Sequence, residues 1–134
     1  MSMSNLTEND VLKMICQGTD PAWRAGATGY WALFTADPTE TGSLANECSY
    51  TGYARVEQDK SSAWTDGGSD FSNAALVQWP QCTGGSETAT HFAWVSSASG
   101  ETTYMVSGAL TASLSISNGI QPQAAAGALH ITAE

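Results

Sequence analysis

The chain has 134 residues, a length that suits one domain with a single hydrophobic core. Hydrophobic residues make up 42% of it, whereas charged residues make up 13%, about half the roughly 25% of an average protein. Four basic residues against 13 acidic ones give a net charge of −9, which repels phosphate backbones and anionic lipids. We therefore expect neither nucleic acid nor a membrane as a partner.

Residues 1–20 are predicted to form a helical arm, with the helix itself over 7–17. Thr7 is the predicted N-cap, acidic residues follow it in the first turn, and Gly18 provides the stop. We expect this helix to clamp a neighbouring molecule. Apolar side chains recur along it with a helical period, at Val11, Leu12, Met14, Ile15 and Cys16.

Residues 21–134 are predicted to form a mainly all-β domain, an antiparallel β-sandwich of jelly-roll type. The first strand run, 30–35, is apolar throughout, which is typical of a strand buried on both faces. Gly100 lies between two later runs and predicts a hairpin turn with a positive φ. Gly, Pro, Asn, Asp and Ser separate the predicted strands, which cover 30–35, 53–58, 74–79, 91–95, 103–106, 110–117 and 128–132.

The sequence presents no converging set of groups that predicts catalysis or cofactor binding. His91 and His130 each lie in a strand run, where an imidazole is more often structural. We therefore expect no enzymatic activity and no cofactor. Asp37, Glu40 and Glu47 leave open a small hydrolase, although such acids more often form turns or lie in solvent.

Two further groups of residues are interpreted as structural. The Gly-rich stretch 66–73 offers oxygen ligands, but its spacing fits no calcium-binding loop and favours a surface turn. Cys16, Cys48 and Cys82 lack metal-site spacing and predict buried free thiols, with Cys48 the candidate for an exposed one. No metal site is predicted.

The five tryptophans support two interpretations. Trp31, Trp79 and Trp94 fall inside strand runs and predict core packing. Trp23 and Trp64 fall between runs, where they suit either stacking on a sugar ring or anchoring a protein contact. Composition does not separate these two functions.

Residues 30–56 read YWALFTADPTETGSLANECSYTGYARV, in which ALFTADPTETG is followed by GYAR. This pattern resembles a signature of small bacteriophage virion proteins of the head-decoration or tail-fibre type. Shorter matches at 73–75, 90–93, 107–110 and 126–129 extend the resemblance over nearly the whole chain after residue 20. The resemblance implies a jelly-roll-type structural component of a phage particle, without enzymatic activity or cofactor.

On this basis we expect a capsid decoration or cement protein that stabilises the head by bridging neighbouring subunits. Its expected partners are the major capsid protein or other virion proteins, and we expect a homo-oligomer, either a dimer or a trimer. The alternative is a tail or tail-fibre component that contacts host glycans. A free-standing cytosolic binding module also stays open. The N-terminus has no signal-peptide features, so we expect synthesis in the host cytoplasm and a final location in the virion.

Aromatic residues and one arginine are the expected contact residues, because Trp, Tyr and Arg concentrate binding energy at interfaces. Loop 39–53 is expected to lie against a neighbouring chain. The expected contact residues are Trp23, Tyr30, Trp31, Tyr50, Tyr53, Arg55 and Trp64.

Overall fold

The computed structural model describes residues 3–132, most of which form antiparallel strands and the loops between them. Helix α1 spans Asn5–Gln17, a single 3₁₀ turn spans Ala22–Ala25, and the short helix α2 spans Lys60–Ala63. The strands of this part of the chain are β1 Thr28–Phe34, β2 Val56–Asp59, β3 Trp64–Asp66, β4 Asp70–Asn73, β5 Val77–Gln78, β6 Ser86–Val95, β7 Met105–Ser117, β8 Gln123–Ala124 and β9 His130–Thr132.

Strand β1 lies inside a four-stranded sheet of order β2-β1-β6-β7. Its register with β6 places Trp31 opposite Trp94 and Leu33 opposite Phe92. Each residue from Trp31 to Phe34 is fully buried, because the strand is central and both faces of the sheet are covered. The prediction of a strand buried on both faces is confirmed.

One face of this sheet packs against two smaller sheets, β3-β4-β9 and β5-β8, through tryptophan rings. The ring centroid of Trp31 lies 4.7 Å from that of Trp64 and 4.7 Å from that of Trp94. Trp79 is fully buried beside them, and its Nε1 donates a hydrogen bond to the Trp31 carbonyl at 3.0 Å. The predicted core positions of Trp31, Trp79 and Trp94 are confirmed, and each fully buried ring contributes about 1.5–3 kcal/mol.

The opposite face of the four-stranded sheet is covered by the chain's own loop after β1. Phe34, Val95 and Met105 form a second buried cluster there, and Leu44 of the loop packs against it. The inner side of loop 39–53 thus covers its own sheet. Contact of its outer side with a neighbouring chain stays a prediction.

Strand β7 replaces two predicted runs, 103–106 and 110–117, with one strand that changes register against β6. Ala89 pairs with Leu114 whereas His91 pairs with Ala109, so residues 110–113 lie opposite Thr90 alone. An irregularity of this kind bends the strand without ending it, which the sequence pattern does not reveal.

The stretch 66–73 forms a tighter structure than the predicted surface turn. It is a hairpin of β3 and β4, with Asp66 Oδ1 accepting a hydrogen bond from the Gly68 amide at 2.8 Å. The turn is confirmed, but the two strands beside it were not predicted. They were missed because WTD and DFSN are too short to show an alternating pattern.

The mainly β, antiparallel class with one N-terminal helix is confirmed, whereas the jelly-roll type and the division at residue 20 stay predictions. The predicted N-cap was wrong by three residues. Ser4 caps α1, because the Thr7 hydroxyl instead accepts a hydrogen bond from the Met105 amide at 2.9 Å. Gly18 ends the helix in the left-handed conformation with φ 65°, as predicted.

Candidate interaction surface

Helix α1 is attached to the β domain through its first turn. The Ser4 amide donates to the Met105 carbonyl at 3.0 Å, and the Asn5 amide donates to the Glu40 carbonyl at 2.7 Å. Of the residues in α1, Thr7 alone is buried. The rest of the helix therefore lies on the surface of the domain.

The apolar stripe predicted for α1 exists, but only part of it is covered: Val11 and Met14 are half-buried, whereas the face formed by Leu12, Ile15 and Cys16 is exposed to solvent. Leu12 is 58% exposed and Ile15 is 73% exposed, although side chains of this kind usually lie in a core. Cys16 lies on the same face and is exposed, so its predicted burial was wrong. Within the described residues, this apolar face has no covering element.

An apolar groove of about 320 Å³ lies beside α1. Trp23 reaches it from the 3₁₀ turn and Trp64 from the start of β3, so neither belongs to the plain loop predicted for it. The groove joins α1 to the four-stranded sheet. Its walls also include Trp94, Tyr104, Met3, Val11 and Val106.

Polar contacts fix the aromatic walls of the groove in place. The Trp23 Nε1 donates to Asp10 Oδ2 of α1 at 2.9 Å, and its ring centroid lies 5.3 Å from that of Tyr104. Lys60 Nζ donates to the Trp23 carbonyl at 2.9 Å and lies 5.2 Å from the Tyr104 ring centroid, within cation–π range. Burial lowers the pKa of Lys60.

Tyr104 is a buried wall of the groove. It is 5% exposed, and its hydroxyl is buried without a hydrogen-bond partner among the described residues. Burial, followed by the nearby Tyr30, raises the pKa of Tyr104 to about 12. Gly29 lies against it, and a Cβ at that position would come within 2.2 Å of Trp94 Cζ2 and 2.8 Å of the Tyr104 hydroxyl.

Arg55 forms a second polar centre, which links two loops in the interior of the domain. Its Nε and Nη2 donate to the two carboxylate oxygens of Glu47 at 2.8 and 2.7 Å. Its remaining donors reach the Ser97 and Gly100 carbonyls at 2.9 and 3.0 Å, and so fix the β6–β7 hairpin loop. The Glu47 hydrogen bond raises the pKa of Arg55.

Residues 2–132 match the family model of Podophage GP4 fiber I protein gp80. The chain belongs to this family. The match takes in α1, the groove and the Arg55 centre together. No curated protein matches the chain. The resemblance to phage virion structural proteins, seen in ALFTADPTETG and GYAR, is thereby confirmed.

In this fiber I family member, some of the expected contact residues belong to the chain's own interior. Trp31 is fully buried, Tyr50 is 5% exposed and Arg55 is 8% exposed, so these three offer little surface to a neighbour. The other four residues are partly exposed, namely Trp23, Tyr30, Tyr53 and Trp64. For Trp31 the sequence carried a signal of burial, its place inside an apolar strand run. The burial of Arg55 depends on its pair with Glu47, which no local pattern reveals.

Two of the three carboxylates considered for hydrolysis have structural contacts in this fiber I family member. Asp37 accepts a hydrogen bond from the Thr39 amide at 2.8 Å and forms the turn expected of it. Glu47 differs from the expected solvated acid, because it pairs with buried Arg55 and accepts a hydrogen bond from the Tyr53 hydroxyl at 2.9 Å. Glu40 is exposed.

Other polar residues considered from the sequence also have defined partners. The Asn73 side chain is buried and donates to the Ala75 carbonyl at 2.8 Å, while His130 Nδ1 lies 3.0 Å from Asp70 Oδ2. Within residues 3–132, no cluster of three or more His, Cys, Asp or Glu side chains is arranged to hold a metal. In the same range, no helix is long and apolar enough to cross a bilayer.

The buried cysteines, Cys48 and Cys82, follow the prediction of buried free thiols. Cys48, the candidate for an exposed thiol, is 3% exposed. Burial, followed by Glu87 and Glu47, raises its pKa to about 12. Of the three cysteines, the exposed one is therefore Cys16 on α1 and not Cys48 in the loop.

Proposed function

We propose that this protein is a structural component of a podophage fibre, which acts by binding other virion proteins and carries out no catalysis. The observation that carries the proposal is the match over residues 2–132 to a family described as a fiber protein. That description favours the fibre over head decoration, the function first expected from the sequence. It also supports a location in the virion.

The surface of α1 supports a binding role. Leu12 and Ile15 expose apolar area beside a groove walled by aromatic rings, and such patches on soluble proteins usually mark a contact surface. Tryptophan and tyrosine walls concentrate binding energy when a partner excludes water from them. The chain thus presents a contact surface on α1.

Binding of a host glycan through the groove is the less favoured function. Trp23 and Trp64 offer rings on which a sugar could stack. A sugar also needs several hydrogen-bonding groups, and the groove presents few: the Thr7 hydroxyl is engaged with Met105, and Lys60 with the Trp23 carbonyl. Apolar side chains of a protein fit this lining better.

The location of the protein in purified virions tests the proposal. Antibody labelling viewed by electron microscopy is expected to mark the fibres, and mass spectrometry is expected to detect the chain in washed particles. Labelling confined to the head would support the decoration function instead. Absence from washed particles would overturn both.

A test for catalysis uses the exposed carboxylates. We expect Asp37→Asn and Glu40→Gln variants to assemble into particles as the unmodified chain does, since neither side chain takes part in a chemical step under this proposal. A host polysaccharide cleaved by the purified protein, with cleavage lost in either variant, would contradict it.

A further inference from the structure

We propose that the groove beside α1 binds the last residue of a partner virion protein, with a large apolar side chain against its aromatic rings and the terminal carboxylate on Lys60. The inference rests on the proposed role in binding other virion proteins and specifies the chemistry of the partner. The groove has a volume of about 320 Å³ and is walled by α1, by the four-stranded sheet and by Trp23, Lys60 and Trp64.

Lys60 is the charged residue of the groove, and it has no acidic partner in the part of the chain that the structure describes. Arg55, by contrast, is paired with Glu47. One N–H of the Lys60 ammonium donates to the Trp23 carbonyl at 2.9 Å, and its other N–H groups have no acceptor within residues 3–132. Burial lowers the pKa of Lys60, and no nearby carboxylate opposes this effect. A bound carboxylate would therefore supply the missing counter-charge and accept the free N–H groups.

The ammonium group of Lys60 is held in place before a ligand arrives. It is restrained by the bond to the Trp23 carbonyl and by the Tyr104 ring, whose centroid lies 5.2 Å away. Trp23 is itself fixed, because its Nε1 donates to Asp10 Oδ2 at 2.9 Å. A ligand thus meets a cation that has already lost part of its side-chain freedom, which lowers the entropic cost of binding.

The other walls of the groove favour a large apolar group. Trp23 and Trp64 are half-buried, so each keeps ring surface that a ligand can cover. Thr7 is the remaining polar side chain of the lining, and its hydroxyl is already engaged by the Met105 amide. The groove therefore combines one charged contact with walls that are otherwise apolar.

The end of a chain fits this combination better than an internal segment does. A volume of about 320 Å³ lies at the lower end of the range of roughly 300–1,000 Å³ for ligand sites, so the groove suits about one large residue. An internal Asp or Glu brings a carboxylate on a short apolar stem. An apolar C-terminal residue brings a carboxylate and a large side chain on the same Cα.

The acidity of the chain does not decide this contact. A net charge of −9 repels a carboxylate at long range, but physiological salt screens exposed charges beyond about 8 Å. A carboxylate bonded to Lys60 lies well within that distance. The local cation therefore has the larger effect.

Titration of the ¹⁵N-labelled chain with short peptides, followed by NMR, tests the proposal. Acetyl-Gly-Gly-Phe with a free carboxylate should shift the indole N–H signals of Trp23 and Trp64. The signal of Trp79, which is fully buried outside the groove, should stay in place. The C-terminal amide of the same peptide should bind about tenfold more weakly, because the charge-assisted bond to Lys60 is lost. Acetyl-Gly-Gly-Gly with a free carboxylate should cause no shift, since it lacks the apolar side chain.

Lys60→Gln should bind the free acid as weakly as the amide. Lys13→Gln is the matched control, because it removes the same charge from an exposed residue that does not line the groove. It should keep the difference of about tenfold between acid and amide. Circular dichroism should show the same fold in both variants. The comparison of acid and amide in the unmodified chain tests the proposal even where Lys60→Gln disturbs Trp23.

Equal binding of acid and amide by the unmodified chain would overturn the proposal, as would an equal loss in Lys13→Gln and Lys60→Gln. So would the absence of a shift with the free acid at millimolar concentration. Shifts that follow protein concentration without peptide would mean that a second copy fills the groove, and equal shifts with N-acetylglucosamine would indicate a sugar site; either result would overturn the proposal. All these measurements use the purified chain, so a negative result leaves the fibre assignment standing.

Discussion

Glu47 and Arg55 form a two-pronged ion pair in the interior of the protein, with N–O distances of 2.8 and 2.7 Å. The Arg55 side chain is 2% exposed and that of Glu47 is 15% exposed. The pair joins the loop after β1 to the β6–β7 hairpin loop, which comes more than forty residues later in the chain. Removing one partner therefore leaves a buried charge without compensation.

Arg55→Ala is expected to lower the free energy of unfolding by about 3–5 kcal/mol, as measured by urea denaturation. Arg24→Ala is the control, since its pair with Asp20 is mostly exposed and should contribute less than about 1 kcal/mol. Removing both charges with Arg55→Met and Glu47→Leu should cost less than the sum of the single losses. A loss from Arg55→Ala no greater than that from Arg24→Ala would contradict the buried pair.

Tyr104→Phe is expected to keep or raise stability at neutral pH. The substitution removes a buried hydroxyl that has no partner among the described residues, and such a group costs about 1–3 kcal/mol. Tyr53→Phe is the matched comparison, because the Tyr53 hydroxyl bonds to Glu47 and to the Leu33 amide and its loss should destabilise. Equal losses in the two variants would show that Tyr104 has a partner in solution.

Stability is expected to fall as the pH rises from about 10 towards 12. Burial raises the pKa of Tyr104 from 10.0 to about 12, so the unfolded chain releases this proton before the folded chain does. The stability that comes from this difference is complete below pH 10 and is lost on passing through 12. Unfolding measured across this range should show a shallower decline in Tyr104→Phe; an unchanged slope would count against the burial of the hydroxyl.

Gly29→Ala is expected to destabilise the protein by about 1–3 kcal/mol or more, because its methyl group would overlap the Trp94 ring. Gly26→Ala is the control, since the nearest atom to a Cβ there, the Trp23 carbonyl oxygen, is 3.4 Å away. Thermal melting of both variants makes the comparison. Similar melting temperatures would mean that Trp94 moves aside freely.

One thiol is expected to react quickly with a maleimide in the native protein, and mass spectrometry should place it at Cys16. Cys48 and Cys82 are buried, and the raised pKa of Cys48 further disfavours its thiolate. Cys16→Ser should abolish the fast labelling. Fast labelling that persists in that variant would mean that the loop around Cys48 opens readily.

The sequence pattern predicted the elements whose signal is local. The apolar run at 30–35 predicted β1, and Gly18 and Gly100 predicted a helix end and a positive-φ turn. These features depend on a few residues that are neighbours in sequence, so they can be predicted without knowing the tertiary contacts.

The features that the sequence did not predict depend on contacts between residues distant in the chain. Thr7 reads as an N-cap, but Met105 engages its hydroxyl; Glu47 reads as a loop acid, but it pairs with Arg55. The apolar period of α1 was identified, yet a period cannot say whether its face meets the chain's own core or another surface. Leu12 and Ile15 were identified in the apolar stripe of the helix, and the structure adds that both are exposed. The contact role of this helix and of Trp23 and Trp64 stays a prediction.

The attachment of α1 has a mechanical consequence. Met3 pairs with Val106, and Ser4 bonds to Met105, at the start of β7. A pull on the N-terminus directed away from the sheet would load these bonds one after another, as in peeling, and would break them at low force. A force applied in this direction would thus detach the N-terminal segment before it opened the tryptophan core.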